Sequence, residues 1–550
     1  MGAQYSMSFF ANRKVGLKDR ADADPHRDLI RALLDPACYP HPVRQVEHIE
    51  THISDVLLTG AYAYKLKKPL ALGFLDFSTL EKRRLCCEEE LRLNRRLAPE
   101  LYLEVVAISG RPAQPRVGGD GKPFEYAVRM RQFDQGGMLE RVLARGEFTG
   151  AHAYEIADLV ASFHATLPRA PKDQPYGNAD SIVGPALQNF DQLMPLIDSE
   201  GDRAALGRLQ QWTRAQHTRL ASVFEQRRRD GFVRECHGDL HLGNMVLIDG
   251  RVHIFDCIEF NARLRWIDVI NETAFLVMDL MQRQRPDLAF RFLNRYLEIT
   301  GDYCGVPLLR YYMVYRALVR AKVAAIRAAQ HDVERAAVTA LWAKCRSHLS
   351  LAQRLIEPAK PVLAILHGLS ASGKTGVSQI LLESLSAIRI RSDIERKRLH
   401  GLSANADSAS ALGEGIYTHA AGAATYGRLA ELASRVLDAQ FPVLLDATFL
   451  QNAQRNRFRL LANELGAPFA IVHIEASESE LRRRLAQRTG DASEATAAVL
   501  ERQLRTQDPL TDQECELAWT INTEHMREGE IAEQAQRWLH RLSAPRVPLL

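Results

Sequence analysis

The sequence contains no apolar run approaching the roughly 18 residues that cross a bilayer. Its first residues also lack the apolar stretch and small-residue cleavage site of a secretory leader. A membrane-spanning or exported protein is therefore not expected, and a cytoplasmic one is. Charge of one sign is scarce: 71 Lys and Arg against 67 Asp and Glu leave a net +4 over 550 residues. That balance provides no broad field for long nucleic acids or an anionic lipid surface, so any basic site must be local. Of eight cysteines only Cys86 and Cys87 are close in sequence, and no C-x-x-C pair or Cys/His spacing suits zinc. Reduced, buried thiols are expected. No repeat period and no low-complexity tract is visible. What is abundant is apolar: 46% hydrophobic against 25% charged residues provides cores for several domains of about 100–200 residues each.

The chain divides into a charged arm over 1–40 leading into a helix at Leu29-Ile30, a mixed region over 41–357, and a final region over 358–550. In the second region, 52–58 and 61–67 alternate as two strands around Thr59-Gly60, a helix spans about 79–97, and 125–133 is a further strand. Two short strands surround a Gly-containing loop within 233–256. The stretch 308–356 has the composition of a helix and ends at Glu357-Pro358-Ala359-Lys360-Pro361, which marks the boundary. Beyond it, continuous apolar runs at 362–366, 443–445 and 469–474 alternate with helices, the pattern of a buried parallel sheet.

Gly368-Leu369-Ser370-Ala371-Ser372-Gly373-Lys374-Thr375 satisfies G-x-x-x-x-G-K-[ST] directly after an apolar strand and before a helix. In such a loop the amides around Gly368, Ser370, Ser372 and Gly373 turn towards phosphate oxygens. Lys374 reaches the β and γ phosphates, and the Thr375 hydroxyl can ligate Mg²⁺. One helix downstream, Asp393 and Arg396 in Arg391-Ser392-Asp393-Ile394-Glu395-Arg396 are candidates for general base and charge neutraliser. An N-cap role for Asp393 is the plain alternative. Asp446, ending the run 443–445, can hold the metal. Arg484 and Arg488 lie one turn apart in a basic helix that could close over the phosphoryl group. Together these elements resemble P-loop kinases of the polynucleotide kinase, zeta toxin and gluconate kinase type, and in that group the Asp of D-x-x-R acts as base, which the similarity carries onto Asp393.

His237-Gly238-Asp239-Leu240-His241-Leu242-Gly243-Asn244 has the H-x-D-x-x-x-x-N spacing of a kinase catalytic loop. Asp239 would accept the acceptor proton and Asn244 would ligate metal. The strand 252–255 then delivers Asp256 to a second metal position. This wording, with Trp266-Ile267-Asp268 and Glu272 downstream, resembles the aminoglycoside phosphotransferase and choline kinase group. The resemblance implies a strand lysine, Lys65 or Lys67, paired with Glu90 on the following helix. Lys65 and Lys67 share one face of the strand, so alternation leaves the choice open.

The expected fold is α/β and α+β, a bilobal kinase-like domain followed by a doubly wound P-loop domain. The expected activity is ATP- and Mg²⁺-dependent phosphoryl transfer at both sites to small-molecule hydroxyl groups. One catalytic domain joined to a nucleotide-binding regulatory domain is the competing reading, and toxin-like phosphorylation of a nucleotide sugar or nucleic-acid end is a third.

Overall fold

Thr59 and Gly60 turn the chain between Ser54–Leu58 and Tyr62–Lys67: the Thr59 amide and hydroxyl both bond to the Tyr62 carbonyl, and Gly60 takes φ +92°. In the computed structural model the described residues are 24–51, 53–72, 75–330, 334–404, 406, 408, 414–487 and 496–543. They form two units interleaved along the chain. The first takes residues up to His152 with Ser162–Gln282 and Tyr311–Arg354. The second takes Ala153–Ala161, Arg283–Arg310 and the chain from Leu355 onward.

The first unit opens with a six-stranded antiparallel sheet in the order Glu47–Glu50, Ser54–Leu58, Tyr62–Lys67, Glu125–Arg131, Tyr102–Arg111, Gln114–Val117. The register Val56↔Lys65 and Lys65↔Val128 places Lys65 on a central strand. The helix Leu80–Asn94, capped by Thr79 accepting from the Lys82 amide, turns Cys86, Cys87 and Glu90 inward, and both thiols are buried. The helical part includes Glu200–Asp230 and Val269–Gln282. Between Val233–Glu235 and the hairpin Met245–Ile248/Arg251–Ile254 runs the loop 236–244. Tyr311 and Tyr312 are core residues, 2% and 1% exposed.

The second unit is built on a five-stranded parallel sheet in the order Ile388–Arg391, Val443–Asp446, Leu363–His367, Phe469–Glu475, Ala518–Asn522. Leu363–His367 and Val443–Asp446 are buried along their whole length, which is why they read as unbroken apolar runs. The helix Pro286–Thr300 belongs to this unit although it lies upstream of the boundary expected at 357. The reason is polar pairing at the open edge of the sheet. The Asn294 side-chain amide donates to the Ala387 carbonyl at 2.9 Å and its oxygen accepts from the Arg389 amide at 2.6 Å. Glu298 accepts from the Arg389 guanidinium at 2.7 and 3.0 Å. An edge strand's orphan donors and acceptors are thereby satisfied by side chains. No helix among the described residues is long and apolar enough to cross a membrane.

Candidate active sites

In the first unit the loop 236–244 is held by its backbone. Gly238 has φ +88°, and a Cβ there would meet the Leu264 carbonyl at 2.8 Å, so only glycine fits. The His237 amide donates to both Glu272 oxygens at 2.8 and 3.0 Å. Its imidazole Nε2 lies 2.9 Å from the Phe255 carbonyl, which can only accept, so the proton sits on Nε2 and Nδ1 accepts from the Asp239 amide at 3.3 Å. Asn244 Nδ2 donates to Asp239 at its carbonyl (3.0 Å) and Oδ2 (2.9 Å), while Asp239 Oδ1 is buried without a protein partner. Burial opposes the charge on Asp239, but His241 and Arg320 hold its carboxyl down at about 2, so it is ionised at neutral pH. His241 Nδ1 accepts from the Gly243 amide at 3.0 Å, which leaves the proton on Nε2, 3.4 Å from Asp239 Oδ2.

Asp256 follows the strand Arg251–Ile254 in a left-handed conformation, φ +63°, unusual for a non-glycine residue. Its amide bonds the Tyr102 hydroxyl at 3.2 Å, and its Oδ1 lies 2.5 Å from Lys65 Nζ, which also reaches Glu90 Oε1 at 2.7 Å. Lys67, 0% exposed, pairs instead with the other Glu90 oxygen at 2.5 Å and with Glu259. Burial works against ionised Glu90, yet the two ammonium groups hold it at about 2. Lys65 and Asp256, but not Lys67, line an open cleft of about 1050 Å³ that also takes in Asn244 and the apolar side chains of Val56, Ala63, Leu101, Met130 and Phe255. The apolar walls suit a flat heterocycle. Asp239, Asn244 and Asp256 together are a hard oxygen donor set with one buried carboxylate oxygen still unpartnered, which fits a divalent cation such as Mg²⁺.

In the second unit a larger cleft of about 2050 Å³ is lined by Ser370, Gly373, Lys374, Thr375, Asp393, Arg396, Asp446 and Arg484. The loop's path demands its glycines. Gly368 has φ +152°, and a Cβ there would lie 2.3 Å from the Ile474 carbonyl. Lys374 Nζ donates to the carbonyls of Gly368 and Leu369 at 3.1 and 2.6 Å. Ser372 Oγ is buried without a protein partner. Asp393 sits in the first turn of the helix Ser392–Leu399, whose N-cap is Arg391, so the capping alternative is not realised and its carboxyl lines the cleft. The Arg396 guanidinium lies 5.2 Å above the Tyr417 ring, with Nε buried and unpartnered. Asp446 Oδ2 accepts from Ser378 Oγ at 3.1 Å, on the strand next to Leu363–His367. Thr375 and Asp446 supply oxygen donors that fit Mg²⁺. Of the basic helix, Arg482 and Arg483 pair with Glu478, Glu501 and Glu480 at the surface; Arg484 also pairs with Glu480, at 2.7 Å through Nε, and one terminal nitrogen donates to the Ala371 carbonyl and the Thr523 hydroxyl beside the loop. Arg488 lies outside the described residues.

A family model described as a phosphotransferase enzyme family matches residues 84–309, and one described as an AAA domain matches 363–510. An uncharacterized protein of Mycobacterium tuberculosis (strain H37Rv) is 30% identical over 468 residues, covering 84% of this chain and 91% of that protein; one of Mycobacterium bovis gives the same figures. The chain belongs to the family of these proteins. It carries two kinase-like domains, an aminoglycoside-phosphotransferase-like domain and a P-loop kinase domain. A gluconokinase from Sinorhizobium meliloti 1021 is similar at 22% identity, covering 34% of this chain and 95% of that one, with a TM-score of 0.25. A choline/ethanolamine kinase family protein from Mesorhizobium loti is similar at 13% identity over 60% of this chain and 99% of that one, with a TM-score of 0.35.

Several site residues escaped the sequence reading. Glu259 fixes Lys67, Tyr102 holds the Asp256 amide, Arg320 and His241 face Asp239, and Gln503 accepts from the Ser370 amide at 2.8 Å. Only the Asp256-Cys257-Ile258-Glu259 run offered a local signal, because Glu259 stands three residues after a motif carboxylate. His164, Cys236 and Glu272 form the one group among the described residues with three metal-capable atoms within 4.8 Å of one another. Both Glu272 oxygens already accept from the His237 amide, so this group anchors the loop through hydrogen bonds.

Proposed function

We propose that the protein is an ATP- and Mg²⁺-dependent phosphotransferase with two active sites, each moving the γ-phosphoryl group of ATP to a hydroxyl of a small molecule. The observation that carries this is common to both clefts. In the second cleft Asp393, a carboxylate able to accept a proton, lines the wall together with Lys374; in the first, Lys65 lines the wall together with Asn244, whose side-chain amide donates to the buried carboxylate of Asp239 directly behind it. In the first cleft an acceptor hydroxyl bonds to Asp239 Oδ1. Its oxygen attacks the γ phosphorus as the bond to the β-bridging oxygen breaks, and the proton passes to the carboxylate. Asn244 and Asp256 in the first cleft, and Thr375 and Asp446 in the second, would hold Mg²⁺, which would neutralise charge on the phosphates. Lys65 orients the phosphates and Glu90 orients Lys65. In the second cleft the 368–375 loop and Lys374 take that part, Asp393 receives the proton, and Arg396 and Arg484 face the transferring group. Free thiols at all eight cysteines support a reducing, cytoplasmic setting.

The test is label transfer from γ-labelled ATP into a metabolite extract, comparing wild type with Asp239→Ala and Lys374→Ala. Loss of a different product in each variant is expected. If Lys374→Ala removes the sole product while Asp239→Ala leaves it intact, the first domain is not a phosphotransferase and the regulatory reading replaces this one.

A further inference from the structure

The helix Val306–Ala328 places Arg316 and Arg320 one turn apart beneath the catalytic loop, 3% and 5% exposed. Neither guanidinium has a carboxylate within ion-pair distance among the described residues, and the two are satisfied very differently. Arg316 donates to Asn271 Oδ1 at 2.7 Å and to the Gly238 carbonyl at 3.0 Å, and it lies 4.6 Å above the Phe275 ring. It is a structural residue. Arg320 has one close protein neighbour, His241 Nε2 at 3.2 Å. That nitrogen carries the proton directed at Asp239, so it has no lone pair to offer. The Asp239 carboxylate, which Arg320 stabilises together with His241, is its anionic neighbour, no carboxylate among the described residues pairs with the guanidinium directly, and Arg's planar fork is suited to oxyanions. Arg320 lines the first cleft together with His241, Gly243 and Asn244, and Lys344 of the helix Arg335–Ile356 lines the same cleft. Glu140 is the carboxylate at that end, close to Gly243.

Resting on the phosphotransfer reading of this cleft, we propose that its acceptor bears an oxyanion, a carboxylate or a phosphate ester, which Arg320 and Lys344 hold while its hydroxyl meets Asp239. The acceptor is thus a hydroxy acid or a phosphorylated alcohol rather than an amine. A guanidinium that served only the γ phosphate would act alike on every acceptor, which separates the two roles experimentally.

A metabolite extract is divided by ion exchange into anionic, neutral and cationic pools. Each is incubated with γ-labelled ATP and the Lys374→Ala protein, in which the second site is silenced. Label entering the anionic pool, with product masses that distinguish carboxylates from phosphate esters, is the expected result. Label entering only the neutral or cationic pool overturns the inference and leaves phosphotransfer standing. Label in no pool, with an ATP analogue still bound, removes the phosphotransfer reading itself. With an acceptor from the anionic pool, Arg320→Gln raises its KM by about tenfold or more with the KM for ATP unchanged, and Arg320→Lys recovers part of the loss. A fall in kcat with the acceptor KM unchanged assigns Arg320 to the phosphoryl group and overturns the proposal. The pool experiment requires no change at Arg320, so a variant that fails to fold does not protect the idea.

Discussion

The two clefts prepare for phosphate in opposite ways. In the first, Lys65 is already engaged by two carboxylates, Glu90 and Asp256, and the same Glu90 also neutralises buried Lys67. In the second, Lys374 is held by the backbone carbonyls of Gly368 and Leu369. An incoming phosphate must compete with a carboxylate for the lysine of the first site, and in the second it meets a lysine bonded to two carbonyls of the loop itself. Charge in the first site therefore serves folding and chemistry at once. In the second site the fold comes from the parallel sheet and the loop's glycines.

The largest effect follows from that double duty. Lys67→Met leaves Glu90 and Glu259 facing each other with one partner removed, and breaking a buried pair in this way costs about 3–5 kcal/mol. Urea unfolding of the first unit should show it. Lys65→Met, on the cleft wall, should instead reduce phosphoryl transfer at that site by about a hundredfold with a smaller loss of stability. Equal unfolding by both variants breaks the distinction between a structural and a ligand-facing lysine. Lys374→Met should leave the melting of the second unit close to wild type while removing nucleotide binding there.

An effect of intermediate size concerns the ion pair behind the second site. Glu298 holds Arg389, whose NH1 donates to Ser378 Oγ at 3.0 Å, and Ser378 Oγ lies 3.1 Å from Asp446. Glu298→Gln keeps the shape but removes the charge opposite a buried guanidinium, a loss of about 1–3 kcal/mol. The second unit should melt earlier, and nucleotide binding should weaken only where Asp446 has shifted. An unchanged melting temperature would show that Asn294 alone secures the edge strand.

How far the sequence could be read follows the same division. The 368–375 loop is eight contiguous residues after a strand buried on both faces, so local pattern was enough for the loop and for the three strands Leu363–His367, Val443–Asp446 and Phe469–Glu475. The 237–244 loop and Asp256 were legible for the same reason. Lys65 and Lys67 were not separable, because both point to one face and what distinguishes them, Asp256 on Lys65 and Glu259 on Lys67, is distant in sequence. The helix Pro286–Thr300 reads as an ordinary amphipathic helix; nothing local shows that Asn294 caps a strand edge 95 residues away. The strands Glu47–Glu50 and Ala518–Asn522 stand at sheet edges, are only partly buried and so lack a strong alternation, whereas Gln114–Val117 alternates but over only four residues.

The smallest effect concerns pH, and here the second unit carries the titrating group. His367 and His473 are register partners on neighbouring strands, with their Nδ1 atoms 2.7 Å apart. One must donate and the other accept, so only one of these two facing atoms carries a proton. Burial first, and His473 next, push His367 down to about 3, while Arg455 and Lys374 add to the depression and Glu514 opposes it. His473 is lowered too, with Glu475 acting against its burial. In the unfolded chain His367 takes up its proton near 6.5, so stability present above that pH is lost as pH falls towards the folded value. Between pH 6.5 and 5 the loss reaches at most about 2 kcal/mol for this one residue, at about 1.4 kcal/mol per pH unit. His367→Asn should flatten the pH dependence of the second unit's unfolding over that interval. An equally steep profile in the variant would place the acid sensitivity elsewhere, in which case the histidine pair at the foot of the phosphate loop has no part in it.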